Sequence, residues 1–288
     1  MPSAKEIIKK FSDLKTLPHV AVKVSQLVND DKSTMHDFEE IIRLDPVLVS
    51  RLLRLVNSPY FGLVQKVESI SKAVVFTGMK QLRNLVAVEA LRNMFQGEDE
   101  DFSPQKLWLH SATVAILSEM IAKRVFGMEG DDVFLAGIIH DLGLIVENQI
   151  VGEQLRQACQ AFRQGKGSLV ECEREVIGTD HTEVGALLAG GWNLPDEVLK
   201  SIRQHHGAGK ESRLPGIISI IQLAEYMASK MKYWPIAGPI EPLSPALAKH
   251  VKDSMADYKI IIRDLPAEMA KAKELYEGDG KEPETSHE

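Results

Sequence analysis

His140 and Asp141 stand side by side in the stretch AGIIHDLGLIV, residues 136–146, with apolar residues on both flanks. Burying a charge without a partner costs on the order of several kcal/mol even after relaxation, so a polar doublet placed there has to bind or bond something. Other imidazoles fall on apolar stripes in the same way. In KLWLHSATVAILSEMIAKR, the residues Leu107, His110, Val114, Leu117 and Ile121 step by three and four, the spacing of one helix face. His181 shares a face with Val184, Gly185 and Leu188. The stripe Val198, Ile202 leads to His205, while Leu199, Ile202 leads to His206, so one or both of that pair turn inward. Glu225 lies four residues after Ile221 and three before Ala228, which directs a carboxylate toward apolar neighbours.

A lone histidine on an apolar face is more often a hydrogen-bonded core residue than a ligand. Five separate segments that each turn an imidazole or a carboxylate inward make a different pattern, that of a metal centre inside a helical bundle. The mixture of nitrogen and oxygen donors suits Mn, Fe, Zn or Ni, and one or two divalent ions are expected. The candidate ligands are His110, His140, Asp141, His181, His205, His206 and Glu225. His19, His36, His250 and His287 lack this context.

Helices must position these residues. The apolar period is close to 3.6 almost throughout and alternating strand patterns are rare, so the expected fold is all-α. Asp45-Pro46 and Ser103-Pro104 each put a capping side chain before a proline at the first helical position, and Gly62, Gly78, Gly97 and Gly127 mark ends or turns. The acidic run Glu98-Asp99-Glu100-Asp101 breaks the apolar pattern and divides a helical N-terminal lobe, residues 1–97, from a ligand-bearing lobe, residues 98–232. Prolines from Tyr233-Trp234-Pro235 to Pro245 open a C-terminal helical extension, residues 233–276. The polar tail, residues 277–288, is expected to be disordered.

Composition sets the surroundings. A chain of 288 residues, 44% of them hydrophobic, can bury a sizeable core. The longest uninterrupted apolar runs fall short of a membrane span, and the N-terminus lacks the apolar core of a signal peptide, so a cytoplasmic protein away from the membrane is expected. Cys159 and Cys172, the only cysteines, form neither a paired metal spacing nor a disulfide framework. The net charge of −7 is uneven: residues 1–95 hold 14 Lys and Arg against 10 Asp and Glu, a net +4, which leaves −11 for the rest. The basic excess never forms a run, and nucleic acid is not an expected partner.

Several stretches carry a family resemblance. LPHVAVKVSQLV, IIRLDPVLVSRLLRLVNSPYFG and SISKAVVFTGMKQLRNLV, followed by LHSATVA, AGIIHDLG, DHTEVGALLAGGWNLPDEVLKSIRQHH and IIQLAEYMA, resemble the HDOD (HD-related output domain) family over about residues 12–232. That family lies within the HD-domain superfamily of metal-dependent phosphohydrolases. The resemblance implies a multi-helix HD-like bundle with an additional helical N-terminal lobe. It implies that His110, His140, Asp141 and Glu225, the last where the family usually has Asp, hold one metal. His181, His205 and His206 match the extra ligands of two-metal members, in which the doublet aspartate bridges. Leu144 stands where cyclic-dinucleotide hydrolases of the superfamily carry a phosphate-contacting lysine, and HHGAGK lacks their Gly-Tyr-Pro loop, so hydrolysis of cyclic di-GMP is not expected. Two functions follow from the resemblance. One is a bacterial-type signalling or output module with a retained metal site and a protein partner or small phosphorylated ligand. The other is a metal-dependent phosphohydrolase acting on a nucleotide or other phosphoester, for which Arg156, Arg163, Lys166, Arg203 and Lys210 are candidate phosphate contacts.

Overall fold

A computed structural model describes residues 1–14, 19–28, 32–92, 94, 102–192, 194–206 and 214–272. Among the described residues the regular elements are all α-helices, as the 3.6-residue period requires. The acidic run at 98–101, Gly97, Lys210 with the rest of the stretch after His206, and the tail 277–288 lie outside the described residues.

Helices α2 (His19–Val28), α3 (Met35–Arg43), α4 (Pro46–Val56), α5 (Ile70–Thr77) and α6 (Met79–Arg92) pack on one another as an N-terminal bundle. Its ends are set by local chemistry. The Asp45 carboxylate accepts from the Leu48 amide at 3.0 Å at the start of α4, and Thr34 and Asp37 form a reciprocal capping box at the start of α3. Gly78, at φ 80°, ends α5 in a conformation that side chains disfavour. After α4 the Asn-Ser-Pro-Tyr-Phe turn is pinned by Asn57. Its amide donates to the Leu53 and Val67 carbonyls at 2.6 and 2.8 Å and accepts from the Val67 amide at 2.8 Å.

The second bundle comprises α7 (Pro104–Val125), α8 (Asp131–Ile139), α9 (Leu142–Arg163), α10 (Leu169–Val176), α11 (His181–Ala189), α12 (Asp196–Gln204) and α13 (Ile217–Lys230). Ser103 caps α7 by accepting from Lys106 N, with Pro104 at the first helical position. Helix α1 (Ala4–Leu14) packs on this bundle, against α9 and α11. Of the last two helices, α14 (Pro245–Asp253) and α15 (Met255–Lys271), the second lies along α7, where Arg124 pairs with Asp264 and Glu268 at 2.8 and 3.0 Å.

The two bundles meet through polar as well as apolar contacts. The buried Arg83 of α6 pairs with Asp132 at 2.8 Å, and the Asn84 amide donates to the Asp131 carbonyl at 2.7 Å, both at the start of α8. The Tyr60 hydroxyl donates to Glu119 on α7, which docks the aromatic turn against the second bundle. The stretch Asp131–Arg163 contains a window with the length and hydropathy of a membrane span, which the uninterrupted apolar runs alone had not indicated. Its mean hydropathy of 1.4 has another cause here: 83% of the window is buried as the centre of the second bundle.

Candidate metal centre

Helix α8 ends at Ile139, His140 is its C-cap, and Asp141 leaves helical geometry (φ −101°, ψ 11°) before α9 begins. The doublet therefore occupies a break between two helices. Two glycines let its neighbours close in. A Cβ on Gly137 would lie 2.5 Å from the Ala115 Cα, so only glycine lets α8 approach α7 this tightly. A Cβ on Gly143 would lie 1.9 Å from the His181 carbonyl oxygen, so α9 and α11 touch backbone to backbone. The first contact sets α8 with His140 at its end against α7, which carries His110; the second brings His181 to the doublet.

All seven candidate ligands converge, in two groups. In the first, His110 Nε2 and His140 Nε2 are 3.3 Å apart, and the Glu225 Oε2 lies 3.1 and 3.2 Å from them. Asp141 Oδ2 completes this group at 3.5 Å from His110 Nε2 and 3.2 Å from His140 Nε2. In the second, Asp141 Oδ1 faces His181 Nε2 at 3.5 Å and His205 Nε2 at 3.3 Å, with His206 beside them. The two oxygens of one carboxylate thus serve two groups. The choice between His205 and His206 left open by the helical register resolves to both.

The donor set fits a divalent ion. Four ligands held about 2.1 Å from a tetrahedral ion would stand about 3.4 Å from one another, close to the spacings of the first group. Among the described residues, Asp141 Oδ1, His181 Nε2, His205 Nε2 and Glu225 Oε2 are buried with no hydrogen-bond partner, the condition of atoms that face an ion. The other ring nitrogens are occupied. Nδ1 of His110 donates to the Tyr233 carbonyl, Nδ1 of His140 to Gly137 O at 2.8 Å, and Nδ1 of His205 to Ile202 O at 2.8 Å. Nδ1 of His181 donates to Glu173 at 2.7 Å, and that of His206 to Glu241 at 3.4 Å. In its neutral form each ring is thereby fixed in the tautomer that leaves the Nε2 lone pair free.

The electrostatics follow from burial opposed by neighbours. Burial would push the His110 and His140 imidazoles down, but Glu225 and Asp141 more than reverse this and raise both. Burial likewise opposes the charge on His181, yet Glu173 lifts it to about 9. His205 drops to about 4, through burial first and then the adjacent His206. Asp141 and Glu225, although buried, are held well below the ordinary carboxylate range, Asp141 chiefly by His140 and Glu225 chiefly by His110.

Sequence reasoning missed four supporting groups. Glu173 is fully buried on α10 and bonds both the ring and the backbone amide of His181. It lies four residues after Leu169 and four before Ile177, so the rule that singled out Glu225 also points to it. Glu147 sits in the apolar start of α9 and is fully buried, its carboxyl raised well above the usual range by burial and by Glu173. The Tyr233 carbonyl and the Glu241 side chain belong to a non-helical segment without a period to read.

A cavity of about 100 Å³ opens on the centre, walled by Asp141, His205, His206 and Glu225 together with Tyr226 and Trp234. None of its described lining residues is Lys or Arg. Arg156 pairs with Glu153 at 2.8 Å and Arg203 with Glu183 at 3.0 Å, while Arg163 and Lys166 are exposed near the end of α9. The structure does not bring these four to the cavity wall. Leu144 is fully buried.

Comparison with known proteins gives a consistent result. Residues 14–208 match the HDOD domain. An uncharacterized protein of Treponema pallidum (strain Nichols) is 29% identical over 210 residues, which is 70% of this chain and 39% of that one, so the chain spans about two fifths of that relative's length. An HDOD domain protein from Geobacter sulfurreducens superposes with a TM-score of 0.70 at 22% identity, covering 94% of this chain and 95% of its own. A candidate phosphohydrolase from Shewanella amazonensis SB2B gives a TM-score of 0.70 at 26% identity, covering 93% and 97%. A candidate signal transduction protein from Marinobacter aquaeolei VT8 gives 0.70 at 19% identity, covering 94% and 61%.

Proposed function

The chain belongs to the HDOD family, and from that premise we propose that it is a signalling or output module built around a two-ion His/Asp/Glu centre. The observation that carries this reading is the division of the Asp141 carboxylate, Oδ2 toward His110 and His140 and Oδ1 toward His181 and His205. His110, His140, Asp141 and Glu225 would hold one ion; Asp141, His181, His205 and His206 would hold the other. For an output role, the N-terminal bundle exposes the apolar side chains of Leu44, Val64 and the adjacent Val75 and Phe76, which a protein partner would cover.

A second reading, a metal-dependent phosphohydrolase, is favoured by the cavity that reaches Asp141, Glu225, His205 and His206 from outside. When bound, divalent ions supply Lewis acidity toward a phosphoryl oxygen. The chain itself contributes a cleft whose described walls lack cations, so a small phosphorylated ligand would owe its charge neutralisation to the ions. The solved structures with which the fold is shared include candidates for both roles.

Elemental analysis of the purified protein beside His140→Ala and Asp141→Ala tests the centre. Two ions in the wild type, one lost in His140→Ala and both weakened in Asp141→Ala, are expected. No ion after reconstitution with Mn, Fe or Zn would defeat the reading. A phosphoester screen then separates the two functions: turnover abolished in Asp141→Ala supports the hydrolase, whereas turnover that persists there comes from a contaminant.

A further inference from the structure

Two of the five hydrogen bonds that fix the histidine rings come from residues 233–241, beyond the end of the HDOD match at residue 208. The Tyr233 carbonyl accepts from His110 in the first group, and Glu241 Oε2 accepts from His206 Nδ1 in the second. The segment between them has no regular structure but is firmly seated. Ile236 is buried, and a Cβ on Gly238 would lie 2.2 Å from the Phe162 ring, so the backbone rests directly on α9. Pro235, Pro239 and Pro242 restrict its remaining freedom. Trp234 and Glu241 line the cavity over the centre, so the segment forms one wall of it.

Glu241 stands apart within this wall. His110, His140 and His205 use main-chain carbonyls, and His181 uses the fully buried Glu173. His206 is the most exposed of the five, at 19% of its side chain, and lies beyond the last residue of α12. Among the described residues its Nδ1 acceptor is Glu241, itself 30% exposed. A ring placed there without an acceptor would be free to exchange tautomers and swing.

We propose that Glu241 is a positioning residue for the second ion: it holds His206 with Nδ1 protonated and Nε2 directed to the Asp141 Oδ1 group, which makes the proline-rich segment part of the metal centre. This rests on the two-ion reading above. A carboxylate on the far nitrogen of a ligating imidazole fixes the ring and raises its donor strength.

The test is a titration of the chelator-treated protein with Mn or Zn, followed by calorimetry and elemental analysis, on wild type, Glu241→Ala and Glu241→Gln. Loss of an outer carboxylate of this kind weakens metal affinity about 10- to 100-fold. Glu241→Ala is expected to keep the first ion at wild-type affinity and to weaken the second by that factor. Glu241→Gln, which retains an oxygen acceptor, should fall between. Long-range proton–nitrogen NMR spectra of the metal-free proteins supply a readout that general destabilisation does not mimic: His206 alone should change from one tautomer to a mixture in Glu241→Ala. Two ions bound by Glu241→Ala as tightly as by wild type would overturn the proposal, as would equal weakening of both. A wild type that binds one ion or none defeats the underlying two-ion reading, and the proposal with it, whereas two ions in the wild type with an unchanged Glu241→Ala protein overturns the proposal alone.

Discussion

Substituting Gly143 by alanine sets two physical effects against each other. Gly143 is the second residue of α9, and on helix propensity alone the change would stabilise the protein by up to about 1 kcal/mol. The packing predicts the reverse. The new Cβ would lie 1.9 Å from the His181 carbonyl oxygen, 2.6 Å from its carbonyl carbon and 2.8 Å from its Cα, all backbone atoms that cannot rotate away. Reaching even 3.0 Å, below which real Cβ contacts are essentially absent, requires α9 and α11 to separate by about 1.1 Å at this point. Overpacking a close-packed interior costs about 1–3 kcal/mol, and a clash with backbone belongs at the upper end, so a net loss of roughly 2 kcal/mol is expected. Metal–ligand distances tolerate only about 0.2 Å, so displacing His181 by 1 Å should also abolish binding at the second group while the first persists. Gly191→Ala is the control, because nothing lies within 4 Å of its added Cβ. Urea unfolding of the metal-free proteins and ion counting on the reconstituted ones give both quantities. A Gly143→Ala protein as stable as wild type, or one that still takes two ions, would refute the claim that backbone contact at Gly143 places His181.

Three further outcomes follow from buried and half-buried groups. Burial and Glu173 raise the Glu147 carboxyl well above its ordinary range, so the unfolded chain ionises first as pH climbs and the folded state loses stability relative to it from about pH 4.3 upward. Glu147→Gln should remove that slope, and urea unfolding of metal-free protein between pH 5 and 8 with identical slopes for both would contradict it. His181 holds its proton up to about 9, so ion uptake at neutral pH must displace it; affinity at the second group should rise with pH toward 9, and calorimetry in buffers of different ionisation enthalpy should detect proton release. Tyr60→Phe removes the hydroxyl that Glu119 accepts and should cost about 1–2 kcal/mol in urea unfolding; a change within experimental error would mean that the ring contacts alone dock the turn.

The contrast between Glu225 and Glu241 shows what the sequence could reveal. Glu225, like His110 and His181, lies on a helix whose apolar spacing states which way it points. Glu241 and the Tyr233 carbonyl lie where no period exists, and only the fold brings them to His206 and His110. The ambiguity between His205 and His206 has a related cause: α12 ends at Gln204, so the helical register that would choose between them no longer applies. Glycines 137 and 143 are visible as letters, but what approaches them is not. Most telling is Asp141, whose position in an apolar run advertises a buried carboxylate, whereas the partition of its two oxygens depends on the break between α8 and α9.

Helix α8, part of the second bundle, is held at its start by the first. At its start, Asp131 and Asp132 are gripped by Asn84 and Arg83 of the N-terminal bundle, and at its finish stands His140. Nine residues at 1.5 Å each make it about 13 Å long, and Val133 through Ile139 are all buried, so it behaves as a strut rather than a hinge. A strut transmits displacement in both directions. A displacement of α6 would be carried along it toward His140, and any coupling between the two ends would have the same free energy read from either one.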